Sequence, residues 1–183
     1  MDKPGADQSY SKTERKRFRK TLRFLEGSVS KTETILDLGP VNSLSKIMIN
    51  EGYSVTNTPL KTDLDFNYKM VEENFDVVTA FEILEHMVSP FPLLSSVKAQ
   101  KLVASVPLKL WFANAYWNYN DPFDRHYHEF EQRQFHMLLN KAGWEVVKSE
   151  KWINRSFNKI GIRPLLRNIT PRYYIVYCEK KGE

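Results

Sequence analysis

Cysteine is nearly absent from this sequence, which has only Cys178 among its 183 residues. An internal disulfide is therefore excluded, and because Cys178 lies in an apolar segment we expect a buried, unreactive thiol. Long hydrophobic runs are also missing. No stretch approaches the roughly 18 apolar residues of a membrane span, and residues 1–5 lack the apolar run of a secretory signal. We expect a cytoplasmic protein with no membrane-spanning segment.

The length and composition fit a single folded domain. A chain of 183 residues buries about two thirds of its unfolded surface around one core. A hydrophobic content of 42% and a charged content of 27% are ordinary for a globular protein. We predict one domain that covers residues 1–183, and the sequence makes no prediction of the oligomeric state.

Positive charge is concentrated near the N-terminus, although the net charge of the chain is only +5. Apolar residues recur there at helical spacing, and the opposite side is basic: Lys12, Arg15, Lys16, Arg17, Arg19, Lys20 and Arg23. This pattern predicts a basic amphipathic helix within residues 1–27. We favour a helix that packs on the fold with its basic face in solvent. The alternative is an arm that binds nucleic acid.

Apolar segments of β character alternate with helical patterns along the rest of the chain. Strands are predicted at residues 34–38, 53–58, 76–81, 101–106, 144–147 and 173–178, with helices between several of them. Gly143 is placed to end the helix that begins near residue 135. This order predicts an α/β fold with a doubly wound, mostly parallel Rossmann-like sheet and helices on both faces. The basic segment 154–172 predicts no particular element.

Residues 108–130 are crowded with aromatic side chains and predict a long structured loop. The rings are Trp111, Phe112, Tyr116, Trp117, Tyr119, Phe123, Tyr127 and Phe130. One interpretation is a lid that forms a pocket and stacks on a planar substrate or base. The other is packing that holds the loop on the sheet.

The predicted strand at 76–81 leads directly into Glu82, Glu85 and His86. Ligands of parallel sheets bind beyond the carboxyl ends of the strands, so this run predicts a functional site. The alternative is a solvated helix start, where acidic residues favour the positive end of the helix dipole and His86 is incidental.

Four segments in order resemble the class I S-adenosylmethionine-dependent methyltransferases: "ILDLG", "FDVVTAFEILEH", "LVASVP" and "LLNKAGWEVV". The resemblance covers roughly residues 33–150 and implies methyl transfer from S-adenosylmethionine. It places Asp37 and Gly39 in the loop around the methionine end of the cofactor, where backbone amides hold an anionic group. Other residues would lie near the adenosine: Asp63 or Asp65, Leu64, and Phe81 or Glu82.

The sequence departs from that family pattern at three places. Val41 and Ser43 stand where two further glycines are usual, and Asn57 or Thr58 stands where an acid usually ends the second strand. The segment between the second strand and residue 76 is also short, so we expect a helix to be missing there. The alternative function is a non-catalytic binding protein that kept the fold while its glycine loop decayed. A nicotinamide oxidoreductase is disfavoured because the Gly-x-Gly-x-x-Gly spacing is absent.

Histidines supply the candidate chemistry. If the methyl acceptor is a hydroxyl, a base must remove its proton or a metal ion must lower its pKa. The candidate catalytic residues are His86, His126 and His128. Two carboxylates and two imidazoles suit a divalent cation such as Mg²⁺ or Mn²⁺, and the candidate ligands are Glu82, Glu85, His86 and His128.

This Glu-x-x-Glu-His arrangement resembles the metal-dependent 2′-O-methyltransferases that act on RNA 3′ ends, and it also resembles the ubiquinone-type O-methyltransferases. Without a metal, Glu82 would face the sulfonium and His86 would pack in a helix. The sequence is compatible with four classes of methyl acceptor: RNA, a lipid-like quinol, a sugar or a small metabolite.

Overall fold

The computed structural model describes residues 11–121, 124–153 and 161–182. Within these residues six strands form one sheet: β1 Thr34–Asp37, β2 Ser54–Asn57, β3 Val77–Phe81, β4 Lys101–Pro107, β5 Trp144–Trp152 and β6 Tyr173–Lys180. Their order in the sheet is β2-β1-β3-β4-β6-β5. The first four of these are mutually parallel, whereas β6 is antiparallel to both β4 and β5. The predicted mostly parallel sheet is confirmed.

The described helices are α1 Lys12–Glu26, α2 Ser43–Asn50, α3 Pro90–Ser96, α4 Gln132–Lys141 and α5 Ile162–Ile169. Single 3₁₀ turns stand at Lys69–Glu72 and Leu84–His86. No helix in the described part of the chain has the length and apolar content needed to cross a membrane.

Helices cover both faces of the sheet, because the strands alternate their apolar side chains between two cores. Ile35 and Val77 belong to the core that α1 and α2 close with Leu25 and Met48. The neighbouring Leu36 and Val78 belong to the opposite core, which α3 and α4 close with side chains that include Leu94, Phe135 and Leu139. This two-sided burial explains why β1 and β3 read as continuous apolar runs.

The basic helix α1 packs on the fold. Its buried face carries Phe18 and Leu25. Two lysines of the helix form contacts with other parts of the protein. Lys16 donates a hydrogen bond of 2.9 Å to the carbonyl oxygen of Ile153, and Lys20 pairs with Glu150 at 2.5 Å. These contacts support the covering helix over the nucleic-acid arm, and residues 1–10 of the predicted segment lie outside the described residues.

Three segments show where the structure agrees with the sequence expectations and where it differs from them. Residues 58–76 contain only the 3₁₀ turn between β2 and β3, in agreement with the missing helix. The basic segment 154–172, for which the sequence analysis predicts no element, contains α5, where Ile162, Leu165, Leu166 and Ile169 recur at helical spacing. Residues 154–160 lie outside the described part. Strand β5 runs to Trp152, five residues beyond its predicted end, because it pairs along its length with β6.

Gly143 allows a test of how α4 ends. Its φ is +92°, and a Cβ built there would meet nothing within 4 Å. Gly143→Ala should therefore lower the free energy of unfolding by about 1–2 kcal/mol through backbone strain alone. Gly182→Ala is the matched control, since its Cβ also meets nothing but its backbone is not left-handed. Equal stability of the two variants in urea denaturation would refute the left-handed conformation of Gly143 at the end of α4.

Candidate active site

A crevice lies at the carboxyl ends of the parallel strands, between the sheet and α1. Its volume is about 360 Å³, within the range of ligand pockets. Asp37 comes from the tip of β1, Phe81 from the tip of β3 and Ser105 from β4. The opposite wall is formed by α1, through side chains that include Arg17 and Phe18. The sheet topology therefore brings three strand ends together at one cavity, as the sequence predicts for β1 and β3.

Asp37 is a buried carboxyl at the floor of this crevice. The hydroxyl of Thr79 donates to its Oδ1 at 2.7 Å, and the amide of Asn57 donates to its Oδ2 at 3.0 Å. Burial raises the pKa of Asp37 to about 6, against the lowering effect of these two hydrogen bonds. Asn57 thus supports the carboxylate at the position where the family usually has an acid.

Several backbone amides of the loop after β1 and of the start of α2 are hydrogen-bonded within the protein. Gly39, at a φ of +105°, donates its N–H to the hydroxyl of Thr58 at 2.8 Å. Asn42 caps α2 by accepting the N–H groups of Leu44 and Ser45 at 2.9 and 3.1 Å. These hydrogen bonds occupy the amides of Gly39, Leu44 and Ser45, whereas the sequence predicts that amides of this loop hold an anionic group. Val41 is 61% exposed, so its side chain does not fill the crevice.

Glu82 and Arg17 form an ion pair across the crevice, with 3.7 Å between Nη1 and Oε2. The Glu82 carboxylate also accepts a hydrogen bond of 2.9 Å from the hydroxyl of Ser105. Burial raises the pKa of Glu82, and the guanidinium of Arg17 opposes that rise. Glu82 has a φ of +54°, a strained value for a residue with a Cβ, of the kind that clusters at functional sites.

Glu85, His86 and His126 form a second cluster beside the crevice. One ligand atom from each lies within 4.8 Å of the others. Glu85 is only 1% exposed, and its Oε2 has no hydrogen-bond partner in the described structure. Burial, and then the nearby Glu82 carboxylate, raise the pKa of Glu85 well above its ordinary value. Burial lowers the pKa of His86, and His126 adds to that effect.

The Nδ1 atom of each of the two imidazoles is hydrogen-bonded to an oxygen atom. Nδ1 of His86 lies 3.1 Å from the carbonyl oxygen of Arg125, and Nδ1 of His126 lies 3.1 Å from a carboxylate oxygen of Glu129. The two rings meet edge to face, with their centroids 5.0 Å apart. Each Nδ1 therefore acts as the hydrogen-bond donor, which leaves Nε2 of each ring as the basic atom.

His128 stands apart from this cluster. Its Nε2 lies 3.1 Å from the carbonyl oxygen of Val88, and its ring stacks on Phe130 at 5.4 Å. The structure thus brings together Glu85, His86 and His126, whereas the sequence grouped Glu82, Glu85, His86 and His128 as metal ligands. Glu82 faces the crevice with Arg17.

The acidic turn after β2, residues 63–65, also lies outside the crevice. Asp65 accepts the N–H groups of Val88 and Ser89 at 2.9 and 2.8 Å, and Asp63 accepts the N–H of Asp65 at 3.0 Å. Leu64 is buried in the core on the α3 and α4 side. These side chains are therefore committed to loop structure and packing, and the described lining of the crevice does not include them.

The aromatic segment builds a second cavity of about 240 Å³ on the far side of His126. An isolated antiparallel bridge joins Trp117 to Arg125, and the Arg125 guanidinium lies 4.7 Å from the indole centroid. Tyr116 and Trp117 line this cavity with His126, while His86 lines the crevice. The two cavities therefore approach each other at the two imidazoles. Phe123 lies outside the described residues.

Two side chains of the candidate site are not among the residues that the sequence predicts. Arg17 lies in a run of basic residues that looked like solvated surface, and Glu129 follows the histidines without any spacing signal. Only the packing of α1 across the strand tips reveals Arg17 as part of the crevice.

Asp37→Asn tests the buried carboxyl. The rise in pKa from 3.8 to about 6 corresponds to about 3 kcal/mol of lost stability above pH 6. The loss vanishes below about pH 3, where Asp37 is protonated in the folded and unfolded states alike. An Asn amide accepts only at its oxygen, so the donors Thr79 and Asn57 give the variant a cost that does not depend on pH. Relative to wild type, the stability of the variant should therefore rise by up to about 3 kcal/mol between about pH 3 and pH 7.5. A pH-independent difference in denaturant unfolding would contradict this account.

Comparisons with known proteins agree with this geometry. A family model described as a methyltransferase domain matches residues 10–149. No curated protein matches the chain. An S-adenosylmethionine-dependent methyltransferase from Archaeoglobus fulgidus superposes with a TM-score of 0.59 at 18% identity, over 90% of this chain and 92% of that one.

Two further solved structures share the fold. A methyltransferase from Haloferax volcanii, in complex with the Trm112 activator, gives a TM-score of 0.65 at 11% identity, with 92% of each chain covered. A methyltransferase from Methanosarcina mazei gives 0.61 at 11% identity, over 87% of this chain and 98% of that one. Because the family model covers most of the sequence and the crevice stands at the expected strand ends, the chain belongs to the class I S-adenosylmethionine-dependent methyltransferases.

Proposed function

We propose that this enzyme holds S-adenosylmethionine in the crevice between α1 and the tips of β1 and β3, and methylates a hydroxyl oxygen bound in the aromatic cavity. The observation that carries the proposal is the meeting of the two cavities at His86 and His126, whose ring centroids are 5.0 Å apart. Methyl transfer needs donor and acceptor in line and in contact, so two adjoining pockets supply most of the catalytic requirement.

The residues of the crevice fit the cofactor. Asp37 and Glu82 present carboxylates to its cationic sulfonium and ammonium groups, and Phe18 and Phe81 provide apolar surface. Arg17 is the group suited to the cofactor carboxylate, since a guanidinium forms strong charge-assisted hydrogen bonds with carboxylates. When bound, S-adenosylmethionine supplies an electrophilic methyl group. Side chains thus take the place of the amides of Gly39 and Leu44, which Thr58 and Asn42 occupy.

The second cluster fits a divalent cation. Each imidazole is held at Nδ1 by an oxygen, which is the arrangement typical of histidines that bind metal through Nε2. The buried Oε2 of Glu85 lacks a partner within the described residues, and leaving such a group buried is costly unless a ligand satisfies it. A bound cation would lower the pKa of the acceptor hydroxyl. Two nitrogen ligands favour Mn²⁺ or Zn²⁺ over Mg²⁺.

A metal-free reaction is the second candidate. In that case the Nε2 of His126 takes the acceptor proton, and Glu129, at 3.1 Å from Nδ1, stabilises the resulting imidazolium. The position of His126 in the lining of the aromatic cavity favours it over His86 for this role.

Arg17→Ala tests the cofactor site. Calorimetry with S-adenosylmethionine should show binding to wild type and an affinity loss of about 10-fold to 100-fold for the variant, because a hydrogen bond to a charged group contributes about 1.5–3 kcal/mol. Arg15→Ala removes the same charge from an exposed position of α1 and should leave the affinity unchanged. Absence of binding to wild type would refute the proposed function.

The metal cluster predicts a specific pattern of variants. Mn²⁺ at a hundredfold excess over its Kd should stabilise wild type by about 2.7 kcal/mol. Glu85→Ala and His126→Ala should each abolish that stabilisation, whereas His128→Ala should keep it. Full methyl transfer in excess chelator, with no bound metal detected by elemental analysis, would favour the metal-free route. Loss of Mn²⁺ binding in His128→Ala alone would refute the assigned ligands.

A further inference from the structure

Two arginines line the aromatic cavity and have no acidic partner among the described residues. Arg167 comes from α5, and Arg172 directly precedes β6. In the described part of the chain, neither guanidinium forms an ion pair with a carboxylate. Because the arginine side chain stays protonated in proteins, two positive charges face this cavity.

The acidic side chain in the described lining of the cavity, Glu129, is committed to other partners. Its Oε1 accepts the N–H of Tyr116 at 3.0 Å and lies 3.1 Å from Nδ1 of His126. Glu129 therefore orients the imidazole and holds the aromatic segment. One carboxylate against two guanidiniums leaves the described lining with a surplus of positive charge, which favours an anionic ligand.

The backbone of Arg172 is held on both sides. Its N–H donates to the carbonyl oxygen of Trp152 at 3.2 Å, and its carbonyl accepts the N–H of Leu108. Only residues 170 and 171 separate it from the end of α5, which carries Arg167. Both guanidiniums therefore start from one fixed part of the fold. A group that is already in place loses less freedom when it binds a ligand, and this preorganisation raises affinity.

The other walls of the cavity are mainly apolar and aromatic. Leu110 and Ala113 provide aliphatic surface, and Tyr116 and Trp117 provide rings. The volume of about 240 Å³ lies below the roughly 300–1,000 Å³ of most ligand pockets. Such pockets combine apolar surface with a few polar groups that fix the orientation of the ligand. A compact molecule with a flat ring and one charged substituent fits this combination.

We propose that Arg167 and Arg172 bind an oxyanion of the methyl acceptor, which is a small phenol that carries a carboxylate or a phosphate. Its hydroxyl lies at His126, and its charged group lies at the two guanidiniums. The position of the hydroxyl rests on the proposed O-methyl transfer, whereas the anion site rests on the lining of the cavity alone. A guanidinium pairs with either oxyanion through two parallel hydrogen bonds.

The proposed acceptor is compatible with the chemistry of methyl transfer. The phenol oxygen forms its bond to the methyl carbon as the bond between that carbon and the cofactor sulfur breaks. S-adenosylhomocysteine and the hydroxyl proton leave. A neutral analogue of the acceptor gives the two arginines no partner, so the site discriminates against it.

A small molecule fits the cavity better than RNA does. Proteins that bind an RNA strand follow its successive phosphates with a long positively charged groove. Here the two guanidiniums converge on one small cavity, which suits a single charged group.

Calorimetry with benzoate and phenyl phosphate tests the anion site without cofactor and without methyl transfer. Wild type should bind at least one of them, and it should bind neutral benzamide at least about tenfold more weakly. Arg167→Gln and Arg172→Gln should each weaken anion binding about tenfold. Arg163→Gln is the matched control, because Arg163 is an exposed arginine of α5 outside the described lining, and it should leave binding unchanged. The anion that binds more tightly identifies the charged group of the acceptor.

Arg167 is exposed, so Arg167→Gln should unfold at the wild-type temperature. This variant decides the test if the half-buried Arg172 is needed for folding. Binding of neither anion at millimolar concentration, or binding that Arg167→Gln leaves unchanged, would overturn the proposal. Binding of a single-stranded RNA oligonucleotide that Arg167→Gln abolishes, without binding of either small anion, would also overturn it.

Methyl transfer separates this inference from the proposed function. Wild type should methylate para-hydroxybenzoate or para-hydroxyphenyl phosphate in preference to para-hydroxybenzamide. Arg167→Gln should raise KM for the anionic acceptor about tenfold with little change in kcat. Anion binding that requires Arg167, without methyl transfer, would support the anion site and count against the proposed function. Equal methylation of the neutral and anionic phenols would support the proposed function and overturn the anion site.

Discussion

Two hydrogen bonds to one carbonyl oxygen hold the site together. The N–H groups of Tyr127 and His128 donate to the carbonyl of Glu85 at 2.8 and 3.2 Å, and they tie the aromatic segment to the turn after β3. Because of this attachment, His126 reaches His86 and the aromatic cavity adjoins the crevice. In the proposed function, losing this attachment would leave the crevice at the strand tips intact but would separate the proposed acceptor cavity from it.

The cofactor crevice shows how an altered glycine loop is accommodated. The usual glycines let a ligand approach backbone amides closely. Here Thr58 accepts the N–H of Gly39 and Asn42 accepts that of Ser45, while α1 brings Arg17 across the strand tips. In the proposed function, recognition moves from backbone to side chains, which would reconcile membership of the family with the loss of its loop pattern.

The sequence predicts those parts of the structure that short-range patterns determine. Apolar runs identify β1 and β3, and the topology of a parallel sheet then places Asp37 and Glu82 at one edge. The choice between His126 and His128 depends on the path of an irregular loop, which periodicity does not encode. The position of Arg17 at the crevice depends on a long-range packing contact, so it is not readable from the sequence alone.

The central claim is that cofactor, metal and acceptor meet at the pair of imidazoles. A crystal structure of the enzyme soaked with S-adenosylhomocysteine and Mn²⁺, with anomalous data at the manganese edge, tests it most directly. We expect the nucleoside between Arg17 and Asp37, and one anomalous peak bound by Glu85, His86 and His126. A peak at His128, or a nucleoside bound outside the crevice, would contradict the account.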